Sequence, residues 1–170
     1  EVWGRFSFLG YEPAMEITCT DGVLNIRKTA EDTVVTKKVE HPGDTLREII
    51  REYKTPVMEE LPPFTGGLVG YFSYDYIKYS EQKLKLEDKE QQDFRDMDLR
   101  LFDQVIAFDH YRQKVLLIAG VMTDDLEASY QKAEGKLEEM AQLLKTGPHM
   151  EFEKLKLESD IRPQFPEAEY

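Results

Sequence analysis

The sequence has one cysteine, Cys19, and therefore neither an intramolecular disulfide nor a zinc site built on cysteines. Its neighbours Ile17, Thr18 and Thr20 supply no cation that would lower the thiol pKa. Cys19 is accordingly expected to be a small buried apolar residue, not a nucleophile. Positive charge is short as well: 22 Lys and Arg against 34 Asp and Glu leave a net charge of −12. Nucleic acids are held by clustered Lys and Arg that neutralise phosphates, so a nucleic-acid partner is excluded. An anionic membrane surface would repel the chain too, and no apolar run approaches the roughly 20 residues of a membrane-spanning helix. No signal or transit peptide is visible, which with the lone cysteine predicts a reduced, cytoplasmic protein. Internal repeats and low-complexity tracts are also missing.

What is present suffices for one core. An apolar fraction of 41% with nine Phe and nine Tyr is that of a globular chain. Met15, Ile17 and Cys19 alternate with polar residues, Asp21-Gly22 offers positive-φ turn chemistry, and Leu24 and Ile26 resume the alternation, which predicts a β-hairpin. Residues 33–39 are rich in β-branched side chains and read as a third, more exposed strand. Thr45-Leu46-Arg47-Glu48 reads as a capping box. It would open a short amphipathic helix carrying Leu46, Ile49, Ile50 and Tyr53 and ending by Thr55-Pro56.

Residues 67–79 are strand-like and aromatic, and 83–98 form a charged, glycine-free stretch expected to be a loop or short surface helix. Two apolar runs, 99–108 and 114–121, are joined by a plausible hairpin turn at 109–113. A second helix is predicted from a Thr123 cap, with Asp124 and Asp125 at its positive end. Leu126, Tyr130, Ala133, Leu137, Met140 and Leu144 line one of its faces, and Gly147-Pro148 stops it. The fold class predicted is α+β, a mostly antiparallel sheet with two main helices, over residues 1–148. Residues 149–170 read as a polar connector, with a further helix starting at Pro166. Because the chain opens at Glu1, not Met, and runs at once into strand-like Trp3 to Phe8, it is expected to be a piece of a longer one.

No motif in the sequence carries chemistry by itself. Gly66-Gly67-Leu68-Val69-Gly70 is a poor phosphate loop, because prolines precede it and a strand, not a helix, follows. Glycines there are better explained by close backbone approach at a strand start or bulge. Tyr71, Phe72, Tyr74, Tyr76 and Tyr79 read as core packing in preference to a base-stacking platform. Asp75, among them, would need a partner if buried. Asp103, Asp109 and His110 lack the second His or carboxylate that a metal site requires, and Asp109 is expected to bond its own turn backbone. His41 and His149 have no obvious partner. No catalytic residue and no metal ligand emerges.

Three segments, in order, nevertheless resemble one family. They are residues 3–10, from Trp3 to Gly10; residues 63–75, Pro-Phe-Thr-Gly-Gly-Leu-Val-Gly-Tyr-Phe-Ser-Tyr-Asp; and residues 102–110, from Phe102 to His110. This pattern resembles the N-terminal part of the large subunit (component I) of anthranilate synthase, and the last residues, 165–170, resemble the entry to the first helix of its chorismate-binding region. Aminodeoxychorismate synthase and the isochorismate-forming enzymes are related. The Val69-Gly70-Tyr71-Phe72 spelling and the Phe108-Asp109-His110 ending look more like anthranilate synthase.

The resemblance implies an enzyme that converts chorismate to anthranilate and pyruvate at the first step of tryptophan biosynthesis. It implies Mg²⁺ and ammonia, the latter released from glutamine by a separate amidotransferase subunit (component II). The family's metal carboxylates and its catalytic His and Glu lie in the C-terminal chorismate-binding region, so no catalytic residue, metal ligand or cofactor is expected within this fragment. Much of the tryptophan feedback site lies in the N-terminal part. Of that effector site, the basic position carries over onto Arg5, with Ser7 as its neighbour; a Leu-Leu-Glu-Ser segment would precede Glu1. Read physically, Arg5 on an exposed strand is expected to sit in a salt bridge. Two alternatives stand beside this one: a fragment of aminodeoxychorismate synthase component I, and a freestanding, non-catalytic amino-acid-sensing domain. If the core is shared with a missing half, an exposed apolar patch is expected around residues 71–79 or on the face of 126–144.

Overall fold

The computed structural model describes residues 4–81 and 94–148; Trp3, His149, the connector at 149–170 and most of the charged stretch at 83–98 lie outside the described residues. The strands are β1 (Phe6–Leu9), β2 (Met15–Thr20), β3 (Val23–Lys28), β4 (Thr33–Lys38), β5 (Gly67–Phe72), β6 (Met97–Phe102), β7 (Gln104–Asp109) and β8 (Lys114–Ala119). Two α-helices, α1 (Pro42–Glu52) and α2 (Leu126–Thr146), and a 3-10 turn at Tyr74–Tyr79 complete the order. Every strand pairing is antiparallel. The strands form two sheets, one of five strands in the order β4-β3-β2-β6-β5 and one of three in the order β1-β7-β8. The α+β class is as expected, divided between two sheets.

The five-stranded sheet grows from the predicted hairpin. Asp21 and Gly22 both adopt left-handed backbone, φ 48° and 74°, the conformation that a two-residue hairpin turn needs. With that turn in place, Cys19 faces Leu24 and Ile17 faces Ile26. On the other side of β2, Met15, Ile17 and Cys19 meet Leu101, Leu99 and Met97 of β6. Strand periodicity puts these side chains on one face, where Leu46 and Ile49 of α1 join them in the core. Full burial of each such side chain is worth roughly 1.5–3 kcal/mol, so this face dominates the energetics of the sheet. The partner strand β4 is exposed along its length, as predicted.

Four boundaries differ from the sequence reading. First, α1 begins at Pro42, so Thr45 lies inside the first turn, buried, and caps nothing. A proline fits the first helical position because its fixed φ is helical and its missing N–H would have no intrahelical acceptor there. Second, the strand expected over 67–79 ends at Phe72. The Ser73 N–H donates to the carbonyl of Asp96 at 2.8 Å, and Tyr76 N–H donates back to Ser73 at 3.2 Å, turning the chain into the 3-10 segment. Third, the apolar run at 99–108 is two strands in different sheets, broken at Asp103, and Met97 and Asp98 belong to β6, not to the charged loop. Fourth, α2 is capped by Asp125, whose carboxylate accepts from Ala128 N–H at 3.3 Å, and not by Thr123.

Only the middle of the predicted apolar face of α2 is covered: Ala133 and Met140 are buried, while Leu126, Tyr130 and Leu144 are 60%, 57% and 47% exposed. The aromatic stretch is split in the same way. Tyr76 and Tyr79 pack on the core, but Tyr71, Phe72 and Tyr74 are exposed, contrary to the expectation that all five pack inside. The reason is topological: β5 is the last strand of its sheet among the described residues, so nothing described flanks its outer edge. Exposed apolar side chains therefore lie at both places, Tyr71, Phe72 and Tyr74 at one and Leu126, Tyr130 and Leu144 at the other. Asp75 is exposed in the first turn of the 3-10 segment and needs no buried partner. The glycines behave as backbone spacers: a Cβ on Gly66 would lie 2.8 Å from the Phe102 carbonyl oxygen, and one on Gly70 would collide with that of Asp98.

A polar knot fastens the 3-10 segment to the hairpin turn. Asp96 is buried and accepts from the Tyr79 hydroxyl at 2.7 Å, from the Asp21 N–H at 2.8 Å and from the Lys78 ammonium at 2.9 Å. The Tyr79 oxygen in turn accepts from Gly22 N–H at 2.7 Å. Burial pushes the Asp96 pKa up, but the hydrogen bonds from Tyr79 and Lys78 more than offset it and hold the carboxyl below its usual range. Burial also raises the pKa of Cys19, whose thiol is fully buried as expected and stays protonated. Replacing Tyr79 by Phe removes a donor to a buried carboxylate and should cost about 1–3 kcal/mol, read as a lower urea midpoint. Since the folded pKa of Asp96 is depressed, its contribution is complete above the ordinary aspartate value near 3.9 and is lost as pH falls through the lower folded value. Wild type should therefore lose more stability than Asp96→Asn on acidification through this range; parallel profiles would remove Asp96 from the account.

Candidate functional site

Arg5 and Ser7, the two positions singled out for effector binding, lie at the start of β1, opposite the end of β7. The register pairs Phe6 with Asp109 and Ser7 with Phe108, and His110 N–H donates to the Arg5 carbonyl at 2.8 Å. Arg5 is not free. Its Nε donates to Asp109 Oδ1 at 3.1 Å and its Nη2 to Oδ2 at 2.7 Å, a two-point pairing with a carboxylate only 3% exposed. The guanidinium also sits 4.7 Å from the Phe6 ring centroid and 5.7 Å from that of Tyr111. Ser7 is exposed, its hydroxyl 2.7 Å from His110 Nε2.

Asp109 does two jobs. Besides holding Arg5, its Oδ1 accepts from the N–H groups of Tyr111 and Arg112, at 3.1 and 3.0 Å, closing the β7–β8 turn on its own backbone as expected for Asp in a hairpin. The Arg5 hydrogen bond is the main reason its pKa falls to about 2, with the turn amides assisting against partial desolvation. Arg5 in turn is held as a firm cation, above its already high value, by the same bond. The salt bridge predicted for Arg5 is thus present, and stronger in form than an ordinary exposed pair.

Beside this pair opens a cleft of about 680 Å³, bounded by Arg5, Phe6, Leu61, Pro62, Arg112 and Lys114. Arg112 and Lys114 were not singled out from sequence. The signal available was their spacing, two basic residues flanking the turn that Asp109 closes. A smaller cavity of about 270 Å³ lies where the sheets meet, lined by Thr55, Thr65, Gly66, Phe102, Asp103 and Thr123. There Asp103 pairs with Lys136 of α2 at 2.8 Å, and its backbone carbonyl accepts from Gly120 N–H at 2.7 Å. His41 stands at the N-terminal boundary of α1 without a side-chain capping bond, its Nδ1 3.3 Å from the Tyr79 carbonyl oxygen.

The described residues do not fit Mg²⁺. Asp103 and Asp109 each face a cation that would repel a divalent metal, and no group of three or more His, Cys, Asp or Glu side chains that could hold one occurs among the described residues. No helix among them is long and apolar enough to cross a membrane.

A sequence model of the family described as chorismate binding enzyme matches residues 5–170. The chain belongs to that family. The anthranilate synthase component 1 of Acinetobacter calcoaceticus is 33% identical to it over 160 residues, covering 92% of this chain and 32% of that protein. The aminodeoxychorismate synthase component 1 of Bacillus subtilis is 33% identical over 145 residues, covering 82% of this chain and 28% of its own length. Among solved structures, the anthranilate synthase component I of Streptococcus pneumoniae superposes with a TM-score of 0.68 at 29% identity, covering 91% of this chain and 33% of that one. The resemblance to anthranilate synthase component I read from residues 3–10, 63–75 and 102–110 therefore holds over most of the chain. The chain spans about a third of the length of these relatives.

Substituting Arg5 by Met should raise the Asp109 pKa above its value of about 2, followed by the side-chain carboxyl resonance in an NMR titration. Because the folded pKa is the lower one, Asp109 stabilises the fold fully above the ordinary value near 3.9 and ceases to do so as pH falls through about 2. An Asp109 that still titrates near 2 in the Arg5→Met variant would show that the guanidinium is not the cause.

Proposed function

We propose that this chain is the N-terminal scaffold part of an anthranilate synthase component I and makes no anthranilate by itself. In this reading residues 1–148 form the N-terminal domain, and 149–170 lead toward the chorismate-binding region that carries the chemistry. The observation that carries it is coverage: a relative named for this activity aligns with 92% of the chain, yet the chain supplies only 32% of that relative.

The whole enzyme would join chorismate and ammonia to give anthranilate and pyruvate in the cytoplasm, with Mg²⁺ held by the remainder and ammonia delivered by component II. Tryptophan would act as feedback inhibitor, with Arg5 and Ser7 on the wall of its site. Since Asp109 takes two nitrogens of Arg5, the ligand carboxylate would have to share that guanidinium or displace Asp109. The similar identity to an aminodeoxychorismate synthase component 1 keeps the sister reaction as the second reading.

Incubating the chain with chorismate, Mg²⁺ and ammonia should give no anthranilate fluorescence, and turnover by the pure chain would overturn the proposal. Calorimetric titration with tryptophan should show no measurable heat, because Arg5 is already satisfied. Micromolar binding would instead favour a freestanding amino-acid sensor.

A further inference from the structure

The outer edge of β4 closes one end of the five-stranded sheet, and its sequence is self-complementary. Residues 31–38 read Glu-Asp-Thr-Val-Val-Thr-Lys-Lys. Two acids lead, two bases follow, and the four residues between them read the same in both directions. Laid antiparallel on a second copy of itself, such a segment brings each end to the opposite charge. Within one chain the acids have partners at the exposed surface, Arg27 on Asp32 at 3.0 Å and Lys28 on Glu31 at 3.5 Å. Lys37 and Lys38 enter no salt bridge among the described residues.

The backbone of this edge is free to pair. Thr29 N–H donates to the Ala14 carbonyl at 3.1 Å, and Val39 N–H donates to that of Gly22 at 2.8 Å. Antiparallel bonding alternates along a strand, so odd-numbered residues of β3 bond β2 and even-numbered ones bond β4. By the register, β4 meets them with Thr33, Val35 and Lys37. The N–H and C=O groups of Val34, Thr36 and Lys38 therefore point outward, where no described strand flanks them. The side chains are unfinished at the same place. On the core face, the row Leu99, Ile17, Ile26, Val35 runs across four strands. Leu99 and Ile17 are buried and Ile26 packs against the core, yet Val35 at the end of the row is 56% exposed.

We propose that β4 is a self-association edge, on which a second copy of this chain pairs antiparallel about a two-fold axis at Val35. Val35 then faces the partner's Val35, and the apolar row continues into the second sheet. Val34 and Thr36 exchange main-chain hydrogen bonds with the partner's Thr36 and Val34. Lys38 comes opposite the partner's Asp32, with Lys37 diagonal to the partner's Glu31, both within reach of long side chains. Edge lysines repel most incoming strands. Here they also select, because a strand that brings acids to that end cancels them. A six-residue edge is small beside a standard interface of about 1,600 Å², so the dimer is weak and concentration-dependent.

Sedimentation equilibrium at physiological salt, from micromolar to millimolar chain, tests this together with residue-by-residue amide exchange by NMR. The apparent mass should rise from 19.9 kDa toward twice that value. The amides of Val34, Thr36 and Lys38 should gain protection in step with it. The double variant Lys37→Glu, Lys38→Glu sets acids against acids and should weaken association by about tenfold or more. Lys54→Glu with Lys132→Glu, the same charge change at exposed positions elsewhere, should leave it within a factor of about two. Thr36→Pro removes an outward N–H, spares the bonds to β3 and should abolish pairing. Circular dichroism checks each variant, and the wild-type exchange pattern decides the matter if the edge variants fail to fold. A chain that stays monomeric at millimolar concentration overturns the proposal. So does a dimer without protection at Val34, Thr36 and Lys38, or one that the Lys37, Lys38 variant leaves unchanged.

Discussion

The pairing of Arg5 with Asp109, across 104 residues of sequence, is the constraint on which the small sheet depends. It joins the lead-in of β1 to the end of β7, while the same carboxylate closes the turn into β8. One carboxylate thus ties together the lead-in of β1, the end of β7 and the turn before β8. Because it is nearly inaccessible to water, the charge is tolerable only with its partner in place. The consequence for function is direct. The Arg5 guanidinium is already engaged by Asp109, so a ligand that uses it must share it with, or displace, an internal carboxylate.

The second joint is Asp103. There the chain leaves the large sheet and enters the small one, and Lys136 brings α2 to the same point. The chain crosses between the sheets at residues 10–14 and again at Asp103, and α2 is pinned at the second crossing by a polar contact. Apolar burial is uneven: one face of β2 and β6 is buried with help from α1, Tyr76 and Tyr79, while, among the described residues, Val69, Tyr71, Phe72 and Tyr74 and much of α2 are exposed. The chain spans about a third of the length of its relatives.

Local chemistry was legible in the sequence where it alone decides structure. The Asp21-Gly22 turn, the alternation of Met15, Ile17 and Cys19, and the turn-binding role of Asp109 follow from residues a few positions apart. What failed depended on tertiary partners. An apolar run through 99–108 carries no mark that Asp103 will be claimed by a lysine 33 residues away. The aromatic strand reads as core because its composition is apolar, but placement at a sheet edge is a property of topology. The capping box at Thr45 lost to Pro42, since a proline commits the backbone before a side chain can choose. As for the site, the residue types at Arg5 and Ser7 were visible through family resemblance, whereas Arg112 and Lys114 join them only because β7 and β8 fold back.

The most direct measurement is anthranilate production by complementation. The account predicts that the chain supplied together with the remaining two thirds of the Acinetobacter relative restores anthranilate fluorescence from chorismate, Mg²⁺ and ammonia, and that neither polypeptide does so alone. Full activity of that remainder without this chain would contradict the claim that these residues are a scaffold the enzyme requires.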